Sequence, residues 1–151
     1  MGLSRSSPDK ILYDPIRKCW IKKTPEELVR QGVLKKITEE LGFPPSLIAI
    51  ERDLRSLPHL VHFSGELPQR RIDIVCFGKN KEGSLFPLLL IECKKGPITK
   101  AARRQVLGYN SFVGASFVAL ASPFSLDLIS TYIAPSSSLP SYQDLLNLTS
   151  W

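Results

Sequence analysis

The chain has 151 residues, 43% of them hydrophobic, which is enough for one core and, by length, one domain. No apolar run approaches the roughly 18 residues of a membrane span, and no hydrophobic stretch follows the N-terminal MGLSRSSPDK, so a cytoplasmic protein with neither leader nor membrane anchor is expected. Cys19, Cys76 and Cys93 lack paired spacing and are expected as reduced thiols, while a net charge of +6 makes a polyanion a candidate partner without excluding a merely soluble basic domain.

Residues 1–23 read as a basic extension whose Ile11, Tyr13, Ile16 and Trp20 are expected to pack on the domain surface; the domain itself is placed at 24–121. Thr24 starts a helix, because TPEE offers an N-cap hydroxyl, a proline at the first helical position and Glu27 at the reciprocal capping position. Gly42 and the FPP that follows it end that helix. LIAIERDL reads as a strand and HLVHF (59–63) as a second extended piece. RIDIVCF (71–77) and PLLLIEC (87–93) are two more strands, joined as a hairpin by the turn-rich GKNKEGSLF. A helix over 98–112 and a strand in ASFVALAS follow, and the segment 122–151 is expected to pack on or trail the domain, with SYQDLLNL as a short final helix.

The strand pair raises a problem of charge. Side chains alternate faces along a strand, so pairing Phe77 with Leu88 and Val75 with Leu90 sets Asp73 opposite Glu92 at the end of an apolar ladder. Two carboxylates at ~4 Å repel by about 4 kcal/mol at an effective dielectric of 20, which calls for a cation or a shared proton. Mg²⁺ answers that need, since it takes carboxylate oxygens, keeps several waters and accepts phosphate oxygens. Lys94, two residues beyond Glu92, points to the same place. On this reading Asp73→Asn, by relieving the repulsion, is expected to leave the metal-free fold as stable or slightly more so.

Asp73, eighteen intervening residues, then Glu92-Cys93-Lys94 resembles the D…(D/E)-x-K signature of the PD-(D/E)XK nucleases. TPEELVRQ is similar to the first helix of the N-terminal nuclease domain of type I restriction enzyme R subunits, RRIDIV to the basic residue two before that domain's aspartate, and QVLGY to its Q-x-x-x-Y motif. The resemblance implies a restriction-endonuclease-like α/β fold, a mixed central sheet flanked by helices, and metal-dependent phosphodiester hydrolysis, of DNA with RNA not excluded. It implies that Asp73, Glu92 and the Cys93 main-chain carbonyl hold Mg²⁺, for which Mn²⁺ can substitute. Lys94 then serves the attacking water and the transition state, and Glu27 supports the metal site. Arg71, Lys95, Lys100, Arg103, Arg104, Gln105 and Tyr109 become the nucleic-acid contacts. A homodimer, or a separate motor or specificity subunit, is the expected protein partner, because no Walker motif is present.

Each residue also has a plainer reading. Glu27 completes a capping box; Asp73 pairs with Arg71 or an unseen lysine; Lys94 and Lys95 are the solvated end of a strand. Gln105 and Tyr109 belong to an amphipathic helix face, and Lys100, Arg103 and Arg104 to its wet side. The corresponding alternative function is a non-catalytic nucleic-acid-binding or assembly subunit with a nuclease-like fold. Zinc is a poor fit, since His59 and His62 would face opposite sides of a strand and no cysteine pair has ligand spacing.

Overall fold

Ahead of the first helix the chain forms a ribbon of two antiparallel strands, β1 (Ile11–Asp14) and β2 (Cys19–Lys22), in a computed structural model that describes residues 10–129 and 133–149. The first nine residues of the expected extension lie outside the described ones. Of its apolar side chains, Ile16 packs against the core, but Tyr13 and Trp20 do not cover the domain surface as expected: they pack on each other and stay exposed. The physical reason is the pairing of Tyr13 with Trp20 across the ribbon, which puts both rings on one face of a two-stranded element with nothing behind it.

Helix α1 (Pro25–Glu39) starts as its capping residues dictate, with the Thr24 hydroxyl accepting the Glu27 N–H at 3.1 Å. It ends where Gly42 takes a φ of +76° that a side chain would resist, and the Phe43 N–H turns back to the Ile37 carbonyl at 2.9 Å. Five strands follow: β3 (Ile48–Asp53), β4 (Arg71–Lys79), β5 (Leu85–Cys93), β6 (Phe117–Ala121) and β7 (Leu126–Leu128), with helix α2 (Lys100–Val113) between β5 and β6. They make one sheet in that order, antiparallel except for β5 and β6, which α2 connects as a parallel pair. The α/β, restriction-endonuclease-like class expected from the sequence is the class observed.

Apolar alternation covers the sheet on both sides. Cys76, Leu89, Ile91, Phe117 and Ala119 pack beneath Val33, Leu34 and Ile37 of α1 and beneath Leu145 of the last helix, α3 (Tyr142–Thr149). Val75, Phe77, Leu90, Val118 and Leu120 pack beneath Ala102, Val106 and Val113 of α2. Ile37 is fully buried, and truncating such a side chain to alanine costs about 2–5 kcal/mol. α3 is tied down further by the Tyr142 hydroxyl, which donates to the Phe77 carbonyl at 3.0 Å.

The structure corrects two expectations. The hairpin pairs Val75 with Leu90 as anticipated, but a bulge between Cys76 and Phe77 sets Phe77 opposite Pro87 rather than Leu88. HLVHF is not extended: Leu57, Leu60 and Phe63 close successive turns by donating to carbonyls three residues earlier. Leu57 and Leu60 are thereby buried together, a three-residue spacing that a strand cannot provide. The expected hairpin turn is present, closed by Asn80 and Ser84 around Gly83 at a φ of +82°. No helix among the described residues is long and apolar enough to cross a membrane.

Candidate functional site

The ladder between β3 and β4 is interrupted at one place. Ile50 pairs with Ile74 and Arg52 with Ile72, and between these pairs Glu51 and Asp73 stand opposite each other. Glu51 has a φ of +50°, in the left-handed region that a non-glycine residue enters at a cost. Strand alternation slips at this point: Ile72 joins Val75 and Phe77 on the α2 side of the sheet instead of following Ile74 and Cys76 to the α1 side. Asp73 is thereby free to serve partners from two directions. Its Oδ1 accepts from Arg30 of α1 at 2.8 Å, and its Oδ2 accepts from the Cys93 backbone N–H at 2.8 Å.

Arg30 is buried and joins three carboxylates, donating to Glu27 as well as to Glu51 at 3.2 Å and Asp73. Glu27 also accepts from Gln31 at 3.2 Å and from Arg17 of the N-terminal ribbon at 2.9 Å. Arg17 in turn holds the fully buried Asp14 and reaches Glu51 at 3.3 Å. Burial alone would lower the arginine pKa values and raise that of Asp14, but the facing carboxylates hold both guanidiniums above their ordinary value, and hydrogen bonds from the Arg17 side chain and the Arg17 and Ile16 N–H groups hold Asp14 below its own. Glu27 therefore does not complete the reciprocal capping box: the Thr24 N–H donates to the Lys22 carbonyl at 3.0 Å, and the Glu27 carboxylate is committed to this network.

Glu92, at the end of β5, is buried and its carboxyl lies close enough to that of Asp73 for each to shift the other's pKa. Burial is the largest influence on it, followed by the Asp73 side chain and its charge, and together they raise its carboxyl from the ordinary 4.5 to about 8 against the pull of Arg70 and Lys94. Asp73 moves the other way: burial would raise it, but the Glu92 carboxyl and hydrogen bonds from the Cys93 N–H and Arg30 hold it below the ordinary carboxylate value. The pair thus holds one proton between them near neutral pH, the alternative to a cation that the repulsion argument requires.

The two carboxyls open into a cleft of about 850 Å³ between the ends of β4 and β5 and the first turns of α2. Cys93, Lys94, Lys95, Arg104 and Gln105 line it, so these expected site residues converge, and Lys94 Nζ donates to Gln105 Oε1 at 3.4 Å. Tyr109 takes part through Arg70, whose guanidinium lies 3.9 Å from the ring centroid and pairs with Glu92 at 3.4 Å. Three expected contacts stand apart from the cleft. Arg71 is exposed and faces Asp53 at 3.7 Å, Arg103 pairs with Asp127 at 3.6 Å, and Lys100 is on the solvent side of α2.

Sequence reasoning missed Arg30 and Arg70. Arg30 carried a readable signal, a charge three residues after Glu27 and on the stripe of Val33, Leu34 and Ile37 that faces the core. Arg70 carried none, because strand alternation favours Arg71 as the neighbour of Asp73 and only the slip at Asp73 undoes that choice.

Two neighbouring carboxyls on one side of an open cleft form a donor set of the kind a small hard cation takes, with one or two carboxylates and the remaining positions left to water and phosphate oxygens. Among the described residues no third histidine, cysteine, aspartate or glutamate completes an all-protein cage.

A search of curated proteins gives no match to the chain. The family model described as type I restriction enzyme R protein N terminus (HSDR_N) matches residues 25–130, from the first residue of α1 to just past β7, and so takes in every side chain of the site except Asp14 and Arg17. The chain therefore belongs to the family of type I restriction enzyme R protein N-terminal domains.

Proposed function

We propose that the protein is a nuclease of the PD-(D/E)XK type that hydrolyses phosphodiester bonds of DNA with the help of Mg²⁺. The observation that carries this reading is the Asp73–Glu92 pair, two neighbouring carboxyls that line one cleft whose other charged walls include Arg70, Lys94, Lys95 and Arg104. A buried acid pair is costly to a fold, and a cation-lined cleft beside it gives a phosphodiester a place next to that pair. Asp73, Glu92 and the Cys93 carbonyl would hold the ion, which when bound supplies Lewis-acid polarisation of the phosphate and an acidified water.

The chain's own side chains have separable tasks. Arg30 and the Cys93 N–H fix the orientation of Asp73 by occupying one lone pair on each oxygen. Glu92, whose carboxyl is raised to about 8, would have to release its proton to solvent in order to hold a cation. Lys94, held toward the cleft by Gln105, stabilises charge developing on the phosphoryl oxygens, a task suited to a compact ammonium. Arg70, backed by Tyr109, presents its guanidinium to a phosphate once Glu92 is engaged elsewhere. A cytoplasmic setting and a partner subunit with motor or specificity function belong to the same reading and are supported by the family alone.

The test is cleavage of plasmid, linear and single-stranded DNA with Mg²⁺ or Mn²⁺, with EDTA as control. Lys94→Ala is expected to keep the fold and nucleic-acid binding and to lose cleavage by a factor on the order of 10². A wild type that cuts none of these substrates, or a Lys94→Ala variant as active as wild type, overturns the reading. A second reading, a domain that holds nucleic acid without cutting it, is favoured by the engagement of both Asp73 oxygens by Arg30 and the Cys93 N–H. Salt-dependent binding without metal-dependent cleavage distinguishes it.

A further inference from the structure

The N-terminal ribbon carries a surface that the site does not use. Tyr13 and Trp20 pair directly across β1 and β2, with ring centroids 5.4 Å apart and planes at 70°, so one ring's edge meets the other's face and flat ring surface is left to solvent. Trp20 is 67% exposed and Tyr13 47%, unusual for rings this large. Ile11 and Lys22, the next pair on the same face, extend the surface. Lys10 and Lys23, joined by a backbone hydrogen bond at the open end of the ribbon, and Lys18 at its turn are all exposed and none is in an ion pair among the described residues.

The charge balance selects the occupant. Between Lys10 and Thr24 there are five cationic side chains and one carboxylate, Asp14, which is fully buried and bound to Arg17. A protein partner with an ordinary mixed surface has no use for so one-sided a face, whereas a polyanion that also offers flat apolar faces meets both features at once. Unpaired bases are such faces; in a duplex they are stacked inside and give a ring nothing to cover. We propose that the Tyr13–Trp20 face is a stacking platform for single-stranded DNA, with Lys22 and Lys23 contacting its phosphates. The proposal deepens the nuclease reading and rests on it for the choice of DNA. The platform is joined to the cleft by a short chain of ion pairs: Arg17, at the turn of the ribbon, holds Glu27, Glu27 holds Arg30, and Arg30 holds Asp73. Strand bound on the ribbon is thereby held on an element anchored to the site.

The experiment uses the full chain in EDTA, so that binding is read without hydrolysis. The chain has two tryptophans, and in a Trp151→Phe background the fluorescence of Trp20 reports alone. Oligo(dT) of about 15 nucleotides is expected to quench it saturably, and a duplex of the same length to leave it nearly unchanged. Tyr13→Ala, read in that background, and Trp20→Ala, read by anisotropy of labelled oligo(dT), are each expected to weaken binding about tenfold or more, while Trp20→Phe keeps most of the affinity and Lys22→Ala with Lys23→Ala flattens the salt dependence by about two phosphate contacts. Because both rings are exposed, the alanine variants are expected to melt at the wild-type temperature. Equal quenching by duplex, unchanged affinity in Trp20→Ala, tighter binding of oligo(U) than of oligo(dT), or a blue shift on anionic phospholipid vesicles with no response to oligo(dT) overturns the proposal. Lost quenching with Mg²⁺-dependent cleavage intact removes the platform alone; intact quenching in a protein that cuts nothing removes the nuclease reading alone.

Discussion

The guanidinium of Arg70 lies over the ring of Tyr109, 3.9 Å from its centroid, and from that position reaches the carboxyl of Glu92. The Q-x-x-x-Y helix is thus coupled to the acid pair by a cation that also faces the cleft and whose Nε is buried without a hydrogen-bond partner among the described residues. A stacked, partly desolvated arginine is worth about 0.5–2 kcal/mol to its ring, so the ring chiefly fixes the orientation of the guanidinium.

It follows that Arg70→Ala is expected to weaken cleavage about tenfold or more, while Arg71→Ala, whose side chain faces Asp53 at the surface, leaves it within about twofold. Tyr109→Phe keeps the ring and should retain activity; Tyr109→Leu should behave as a weaker Arg70→Ala. Steady-state cleavage rates of the four variants on one substrate check the ordering.

The contacts of Asp73 reverse the stability expected of Asp73→Asn from repulsion alone. Asp73 faces a buried arginine on one oxygen and a backbone N–H on the other, and a carboxamide has a single oxygen, so its NH₂ group meets either Arg30 or the Cys93 N–H whatever Glu92 does. Losing one charge-assisted partner costs about 1–3 kcal/mol. Asp73→Asn is expected to melt several degrees below wild type in EDTA, and thermal melts with and without Mg²⁺ show both this drop and the loss of the stabilisation by metal that the proposed function requires.

The acid pair gives the metal-free protein a pH dependence of defined sign. Glu92 is raised from 4.5 to about 8, so between those values the folded state binds the extra proton, and this contribution to stability, full below about 4.5, declines as pH rises and is gone above about 8. Asp73 is lowered, so its contribution is present above its unfolded value of 3.8 and is lost as pH falls through the folded one. Melting temperatures in EDTA are expected to decline from pH 5 toward pH 8, a slope that Glu92→Gln removes and saturating Mg²⁺ flattens or reverses.

Among the cations of α2, Arg104 lines the cleft while Arg103 is held by Asp127. Arg104→Ala should reduce the salt dependence of DNA binding by about one phosphate contact and Arg103→Ala by much less. Binding isotherms at several salt concentrations separate the two.

Where local chemistry decides the structure, the sequence was legible. TPEE capped α1, Gly83 turned the hairpin, and the alternation of RIDIVCF against PLLLIEC set Val75 on Leu90. Asp73 and Glu92 came together because the register that pairs Val75 with Leu90 and Ile74 with Ile91 carries one residue further, and Lys94 lines the same cleft. The rest depended on contacts that local pattern does not encode. The turns at 57–63 mimic a strand in composition, β7 is too short to show a period, and the ribbon buries little of its own apolar surface. Arg17 and Arg30 each have one acid three residues away, but Arg17 meets Glu27 and Arg30 meets Glu51 and Asp73 only after distant segments have packed.

The left-handed backbone of Glu51 implies a conflict between what the fold prefers at that position and what the site requires. Glycine adopts such a φ without the steric cost of a Cβ, roughly 1–2 kcal/mol, so selection for thermal stability alone would favour Glu51→Gly if the carboxylate were idle. It is engaged with Arg17 and Arg30, and Arg30 sets the orientation of Asp73. A thermostability screen blind to activity would find position 51 attractive and return variants whose backbone is relaxed and whose aspartate is less firmly aimed.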